Sequence, residues 1–184
     1  LTSSCIDPSV GGLVRTAILF APAMLLRTGK AILPRPGGDN IGRRRIDTHF
    51  QAFQKLGATI KINSNFEVEA KKLKGDYIYL DEASVTGTEN AIIASVCAKG
   101  ISTIYNAACE PHVQDLCNFL NSIGAKIDGI GTNKLVITGV DSLKGGKWKI
   151  ISDHIEVGSI IGLAAITRSH ITIPDIQPEH YHII

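Results

Sequence analysis

Between Leu33 and Phe50 the chain reads LPRPGGDNIGRRRIDTHF. Gly37 and Gly38 lead into a lone carboxylate, Asp39, and Arg43, Arg44 and Arg45 follow shortly after. Residues without a Cβ let the backbone come close to a ligand. Guanidinium groups meet phosphate and carboxylate oxygens with two parallel N–H donors, which lysine cannot do. An acid in such a loop has two uses. It can cap the next turn through its side-chain oxygens, or hold a proton for a reacting group.

Other reactive residue types are less well arranged. Cys5, Cys97, Cys109 and Cys117 include no C-x-x-C pair, and His180 and His182 stand two apart near the end. These spacings do not make a metal site, so no metal or cofactor is expected, and the cysteines read as reduced thiols. The 184 residues carry a formal charge of only +2, too near neutral for an electrostatic nucleic-acid binder. The cluster GRRR also lacks flanking aromatics, so a nucleic-acid or other non-catalytic anion-binding module is the weaker reading. The longest apolar run, Ala17 to Leu26, is short and contains Pro22, so it reads as a buried helix and not a membrane span. No cleavable leader is legible at Leu1, and the missing initiator Met leaves room for an upstream segment.

The elements that must hold these residues form a repeat. QKLGATIKI, from Gln54, is echoed by NSIGAKIDG, from Asn121. Each is the end of an amphipathic helix, a glycine stop and an alternating strand. Helix–glycine–strand also occurs upstream of each, ending at Pro34 and Ala107, and a third copy begins at Gly162. The period of about 70 residues suits a compact supersecondary unit better than a solenoid. In the second copy the pattern predicts helices over Thr88–Ala98 and Glu110–Ile123. It predicts strands near Ser102–Tyr105, Lys126–Ile130, Leu135–Thr138 and Trp148–Ile151. Helices with one apolar stripe alternating with strands give an α/β (α+β) domain with helices packed on sheets.

Longer stretches carry a family resemblance. LPRPGGDNIGRRRIDTHFQAFQKLGA, DEASVTGTENAIIASVCAKG, STIYNAACEPHVQDLCNFLNSIGAKIDGIGTNKLVITGV and ISDHIEVGSIIGLAAIT resemble the UDP-N-acetylglucosamine enolpyruvyl transferases. The resemblance implies an inside-out α/β barrel built from repeated βαβαββ units, with residues 1–150 most of the upper domain and 151–184 the beginning of a second. It implies UDP-N-acetylglucosamine and phosphoenolpyruvate as substrates, in the first committed step of peptidoglycan synthesis in the cytoplasm. No cofactor, nucleic acid or membrane insertion is implied. The sister enzymes acting on shikimate 3-phosphate are the alternative, against which the motif RRRIDTHF speaks. Since family members are more than twice as long, this stretch alone is expected to be inactive.

The same resemblance distributes roles. Asp39 aligns with the proton donor, usually a cysteine. A carboxylic acid keeps that role but forfeits the thiol's covalent chemistry, so insensitivity to the thiol-alkylating epoxide fosfomycin is expected. Arg15 and Arg44 match arginines of the substrate cavity. Arg45, Ile46, Asp47 and Thr48 are expected along the uridine, with Arg45 standing where relatives mostly have proline. Arg43 is balanced between a contact and a solvated surface. Glu82, Ala83, Ser84 and Val85 match the border of the diphosphate. Ser84 opens a helix, where N–H groups collect anions. Glu82 replaces the family's usual lysine and cannot neutralise a diphosphate. Glu110, Asp153 and Glu156 read as helix first-turn acids.

Overall fold

The structure, a computed structural model, describes residues 3–182 except positions 40 and 43. Its first unit enters through a parallel bridge between Cys5 and Ile32. A short helix α1 (Pro8–Gly11) and a 3₁₀ segment (Arg15–Phe20) lead to α2 (Ala21–Thr28) and β1 (Lys30–Leu33). The unit continues with α3 (Asp47–Lys55), β2 (Thr59–Ile62) and β3 (Phe66–Glu69). The second unit runs β4 (Tyr77–Tyr79), α4 (Val85–Val96), β5 (Ile101–Tyr105), α5 (Pro111–Ser122), β6 (Ile127–Asp128) and β7 (Lys134–Thr138). Its sheet has the order β4-β5-β7-β6, with β4 and β5 parallel and the other pairs antiparallel. The first sheet is β1-β3-β2, and the Cys5 bridge lies parallel beside β1. Both units therefore share one βαβαββ connectivity.

The repeated glycines do the same work twice. Gly57 and Gly124 take left-handed φ values of 94° and 109° after α3 and α5. Gly57 N–H then donates to Gln54 O, and Ala58 N–H to Phe53 O. Gly124 and Ala125 repeat the pair onto Asn121 and Leu120. This closure satisfies the last helix carbonyls and turns the chain into the next strand.

Strands alternate, as in β5, where Ser102 and Ile104 are buried while Ile101 and Tyr105 are exposed. One sheet face meets helices and the other faces water. Helix α4 departs from the single-stripe expectation. Gly87, Thr88, Asn90, Ala91, Ile92, Ala94, Ser95 and Val96 are all buried, because α2 and α3 pack on one side of it and β5 and β7 on another. Helices inside and sheets outside give the inside-out arrangement.

Several boundaries differ from the sequence expectation. The run from Ala17 to Leu26 is split between the 3₁₀ segment and α2, with Pro22 in the first turn of α2, where its missing N–H costs nothing. Helix α4 begins at Val85, one turn before Thr88. Thr88 is buried within it, accepting the Ala108 N–H at 2.9 Å. Strand β4 was not foreseen. Residues 148–151 form no strand, because Trp148 lies along α5, its indole N–H donating to Asp115 at 3.1 Å and its ring tilted on Phe119. Past them come α6 (His154–Thr167) and a 3₁₀ turn (Pro178–Tyr181). Asp153 caps α6, accepting the N–H groups of Ile155 and Glu156. The expected strand of a third unit after Gly162 does not form among the described residues. No helix is long and apolar enough to cross a membrane among those residues.

Candidate functional site

Segments of both units converge on a cleft of about 480 Å³ lined by Arg15, Arg44, Arg45 and residues 82–86. Arg15 opens the 3₁₀ segment of the first unit and is half-buried. Its Nη2 donates to the Arg45 carbonyl at 2.7 Å and its Nη1 to the Arg44 carbonyl at 3.5 Å. That holds the chain leading into α3 against the chain leading into α2. Burial, and then the Arg44 charge, depress the Arg15 pKa, while the Glu82 carboxylate opposes them. The cleft thus gathers guanidinium charge that an anion would relieve.

The arginines are not equivalent. Arg45 Nε donates to Asp47 at 3.0 Å and its Nη2 to Asp81 at 2.6 Å. Hydrogen bonds to these two carboxylates raise its pKa, so its charge is already compensated. Arg44 is exposed and has no carboxylate partner among the described residues. Behind the pair, Thr48 is only 2% exposed and donates to Asp81 Oδ1 at 3.1 Å, and it does not line the cleft. Ile46 is half-buried against the core and precedes α3, whose first residue is Asp47.

Helix α4 brings its N-terminus to the same cleft. Ser84 is the cap, its Oγ accepting the Gly87 N–H at 3.2 Å. The Val85 and Thr86 N–H groups have no acceptor within a helix and carry the positive end of its dipole. Gly87 makes the close approach of α3 feasible, since a Cβ there would lie 3.0 Å from Thr48 Cγ2.

Asp39 stands apart. It is exposed, outside the cleft lining, on the loop that crosses Arg15. A Cβ on Gly37 would fall 1.9 Å from the Gly12 carbonyl oxygen, and one on Gly38 within 3.5 Å of Arg15 N. Gly37 is therefore required for the loop to lie against Gly12, while Gly38, whose added Cβ would meet only ordinary contacts, is favoured by its left-handed φ of 89°. Among the described residues the Asp39 side chain accepts no N–H of the next turn. That turn is closed by Ile41 N–H donating to the Asp39 carbonyl at 3.1 Å. Arg43 lies outside the described residues.

The fold thus assembles Arg15, Arg44, Arg45, Glu82, Ala83, Ser84 and Val85, and stacks Ile46, Asp47 and Thr48 behind them. It adds residues that sequence reasoning passed over. Thr86 lines the cleft, and its hydroxyl lies 3.3 Å from Nε2 of His49, a buried residue of α3. His49 Nδ1 in turn meets Asn90 of α4 at 2.8 Å. Burial, then the Arg15 charge, push the His49 pKa down to about 4. A histidine inside the apolar stripe of α3 was the available signal. Among the described residues no group of three His, Cys, Asp or Glu side chains could hold a metal ion.

Residues 13–184 match the family described as EPSP synthase (3-phosphoshikimate 1-carboxyvinyltransferase). Curated relatives named UDP-N-acetylglucosamine 1-carboxyvinyltransferase are 56% identical in Treponema denticola, over 90% of this chain. Those of Bacteroides thetaiotaomicron and Bradyrhizobium diazoefficiens are 51% identical, over 93% and 97% of it. The chain spans between 39% and 42% of the length of these relatives. Among solved structures, the enolpyruvyl transferase NikO from Streptomyces tendae superposes with a TM-score of 0.73 at 21% identity, covering 86% of this chain and 38% of that one. An EPSP synthase from Acinetobacter baumannii superposes at 0.62 and 20% identity, over 82% and 34%. At those identities the likeness is one of fold. The chain belongs to the EPSP synthase (3-phosphoshikimate 1-carboxyvinyltransferase) family, and its high-identity relatives there are those named UDP-N-acetylglucosamine 1-carboxyvinyltransferase.

Proposed function

We propose that this chain carries the upper part of an enolpyruvyl-transferase site that moves the enolpyruvyl group of phosphoenolpyruvate to the 3-hydroxyl of UDP-N-acetylglucosamine, a cytoplasmic step of peptidoglycan synthesis. Residues 1–150 would belong to the upper domain and 151–184 to the start of the next. The observation that carries this reading is the convergence of Arg15, Arg44 and the α4 N-terminus on one cleft. Guanidinium groups, helix N–H groups and hydroxyl donors together suit the oxygens of a diphosphate and of phosphoenolpyruvate. Identity of 51–56% to relatives of one name supports the sugar nucleotide over shikimate 3-phosphate.

In the reaction the sugar hydroxyl gives its proton to a base and its oxygen adds to C2 of phosphoenolpyruvate while C3 takes a proton from an acid. Loss of a proton from C3 and of inorganic phosphate from C2 then restores the double bond. Arg15 and Arg44 hold the anions, Ser84 and the Val85 and Thr86 N–H groups meet the diphosphate, and Asp39 supplies the proton to C3. Its position on the loop lying over Arg15 suits closure onto the cleft. Having no thiol there, the site offers fosfomycin no thiolate to be alkylated.

Phosphate release tests the reading. The protein at its native length should release phosphate from phosphoenolpyruvate with UDP-N-acetylglucosamine and not with shikimate 3-phosphate, whereas the 184-residue chain alone should release none. Turnover with shikimate 3-phosphate in place of the sugar nucleotide would overturn it.

A further inference from the structure

Beneath the cleft lies a buried polar chain that fixes which atoms of Asn90 and His49 donate and which accept. Asn90 is fully buried, and its amide nitrogen is 3.1 Å from the Ile18 carbonyl oxygen and 2.8 Å from His49 Nδ1. A carbonyl only accepts, so the amide must present its NH₂ to Ile18. The second hydrogen of that NH₂ then faces Nδ1, which must accept. A neutral imidazole carries one hydrogen, so that hydrogen sits on Nε2 and is donated to Thr86 Oγ1, 3.3 Å away. The Thr86 oxygen is thereby used as an acceptor, and its own hydrogen, turned away from His49, has no acceptor among the described residues at the cleft that Thr86 lines. Ser84 is in the same condition, since its Oγ accepts the Gly87 N–H.

We propose that His49, held by Asn90, is a positioning residue that commits the Thr86 hydroxyl to donate into the cleft, where it and the Ser84 hydroxyl form two directed donors to the diphosphate oxygens of the sugar nucleotide. The inference rests on the proposed diphosphate role of the cleft and adds to it the groups that select ionised oxygens. A freely rotating hydroxyl serves donors and acceptors alike. With one of its two lone pairs engaged by His49, the Thr86 hydroxyl keeps its hydrogen turned away from His49, which suits a ligand atom that only accepts, as a phosphate oxygen does.

Two features support a role beyond packing. Asn90 Oδ1 is buried without a partner among the described residues. The amide is therefore oriented by what its nitrogen must do, at the expense of its oxygen. The imidazole is also kept neutral. Burial and the Arg15 charge hold its pKa near 4, and a proton on Nδ1 would face the Asn90 NH₂. The relay thus keeps one polarity through the neutral pH range.

The test uses the protein at native length with ¹⁵N-labelled histidine. His49 should show a protonated Nε2 and a bare Nδ1, and the Nε2 signal should move when UDP-N-acetylglucosamine binds. Thr86→Val, which keeps the branched shape, should weaken that binding roughly 10- to 100-fold, the worth of a hydrogen bond to a charged group, with Tm unchanged. Thr86→Ser should bind like the native protein. A hydrogen on Nδ1, or Thr86→Val binding as tightly as the native protein, overturns the inference. If the native protein does not bind the sugar nucleotide, the proposed substrate is wrong and inorganic diphosphate becomes the probe. Weaker diphosphate binding by Thr86→Val then still supports the relay, equal binding overturns it, and a native protein that binds neither probe overturns both.

Discussion

The two βαβαββ units use the same connectivity for different ends. In the second, β5 reaches α5 through residues 106–110, a short turn that places Pro111 at the first helical position. In the first, the equivalent link from β1 to α3 runs through residues 34–46 and holds Asp39, Arg44 and Arg45. The preceding links differ in the same sense, with 80–84 between β4 and α4 but 6–20 between the Cys5 bridge and α2. The scaffold is repeated and the chemistry is not. The proposed chemistry is lodged where one copy lengthens its loops. The second unit still contributes the N-terminus of α4, so the cleft belongs to neither copy alone.

The contrast can be broken most severely at Asp39. If the long loop alone supplies the proton, Asp39→Asn should lower turnover of the native-length enzyme by about 10²- to 10⁴-fold. Cys109→Ser, an exposed change in the short equivalent link, should leave it intact. Asp39→Cys should retain turnover and acquire time-dependent inactivation by fosfomycin. Stoichiometric alkylation of the natural enzyme by the epoxide would count against Asp39 as donor. Next in size is Arg44→Ala, where losing a bidentate anion contact should cost about 2–4 kcal/mol of transition-state stabilisation and weaken phosphoenolpyruvate binding. Near-normal kinetics would make Arg44 a surface residue.

A pH effect should come from the join between the units. Unfolded, His49 takes up a proton below its ordinary value of 6.5, whereas in the fold it stays neutral down to about 4. Its contribution is complete above pH 6.5 and is lost as pH falls towards 4. The loss should reach about 3 kcal/mol in denaturant titrations. His49→Gln should flatten that part of the stability curve. An equally steep fall in the variant would assign it to other groups. The smallest effect is expected at Arg45. Its partners Asp47 and Asp81 are on exposed ground, so Arg45→Ala should leave Tm almost unchanged in calorimetry.

The loop's glycines and arginines and the repeat were legible because each rests on local signals: Gly37-Gly38 before Asp39, the arginines, the matched glycines 57 and 124, and Pro111 at a helix start. What escaped was set by packing. Helix α4 starts a turn early, across Gly87, because that glycine lets α3 close on it, and Thr48 Cγ2 would lie 3.0 Å from a Cβ there. Strand β4 is three residues long, with Tyr77 and Tyr79 exposed, and exists by pairing to β5. Thr48 matched a substrate-lining segment, yet the turn of α3 points it at Asp81. Thr86, His49 and Asn90 become one chain only when α3 and α4 meet, a contact that neither stretch of sequence announces.

Backbone amide NMR of the native-length protein titrated with UDP-N-acetylglucosamine tests most directly whether the ligand bridges the two units. We expect the largest shifts at Arg15, Arg44 and residues 84–86 together, saturating at one ligand concentration, with 106–110 unmoved. Shifts confined to one unit, or centred on 106–110, would contradict a cleft built from both.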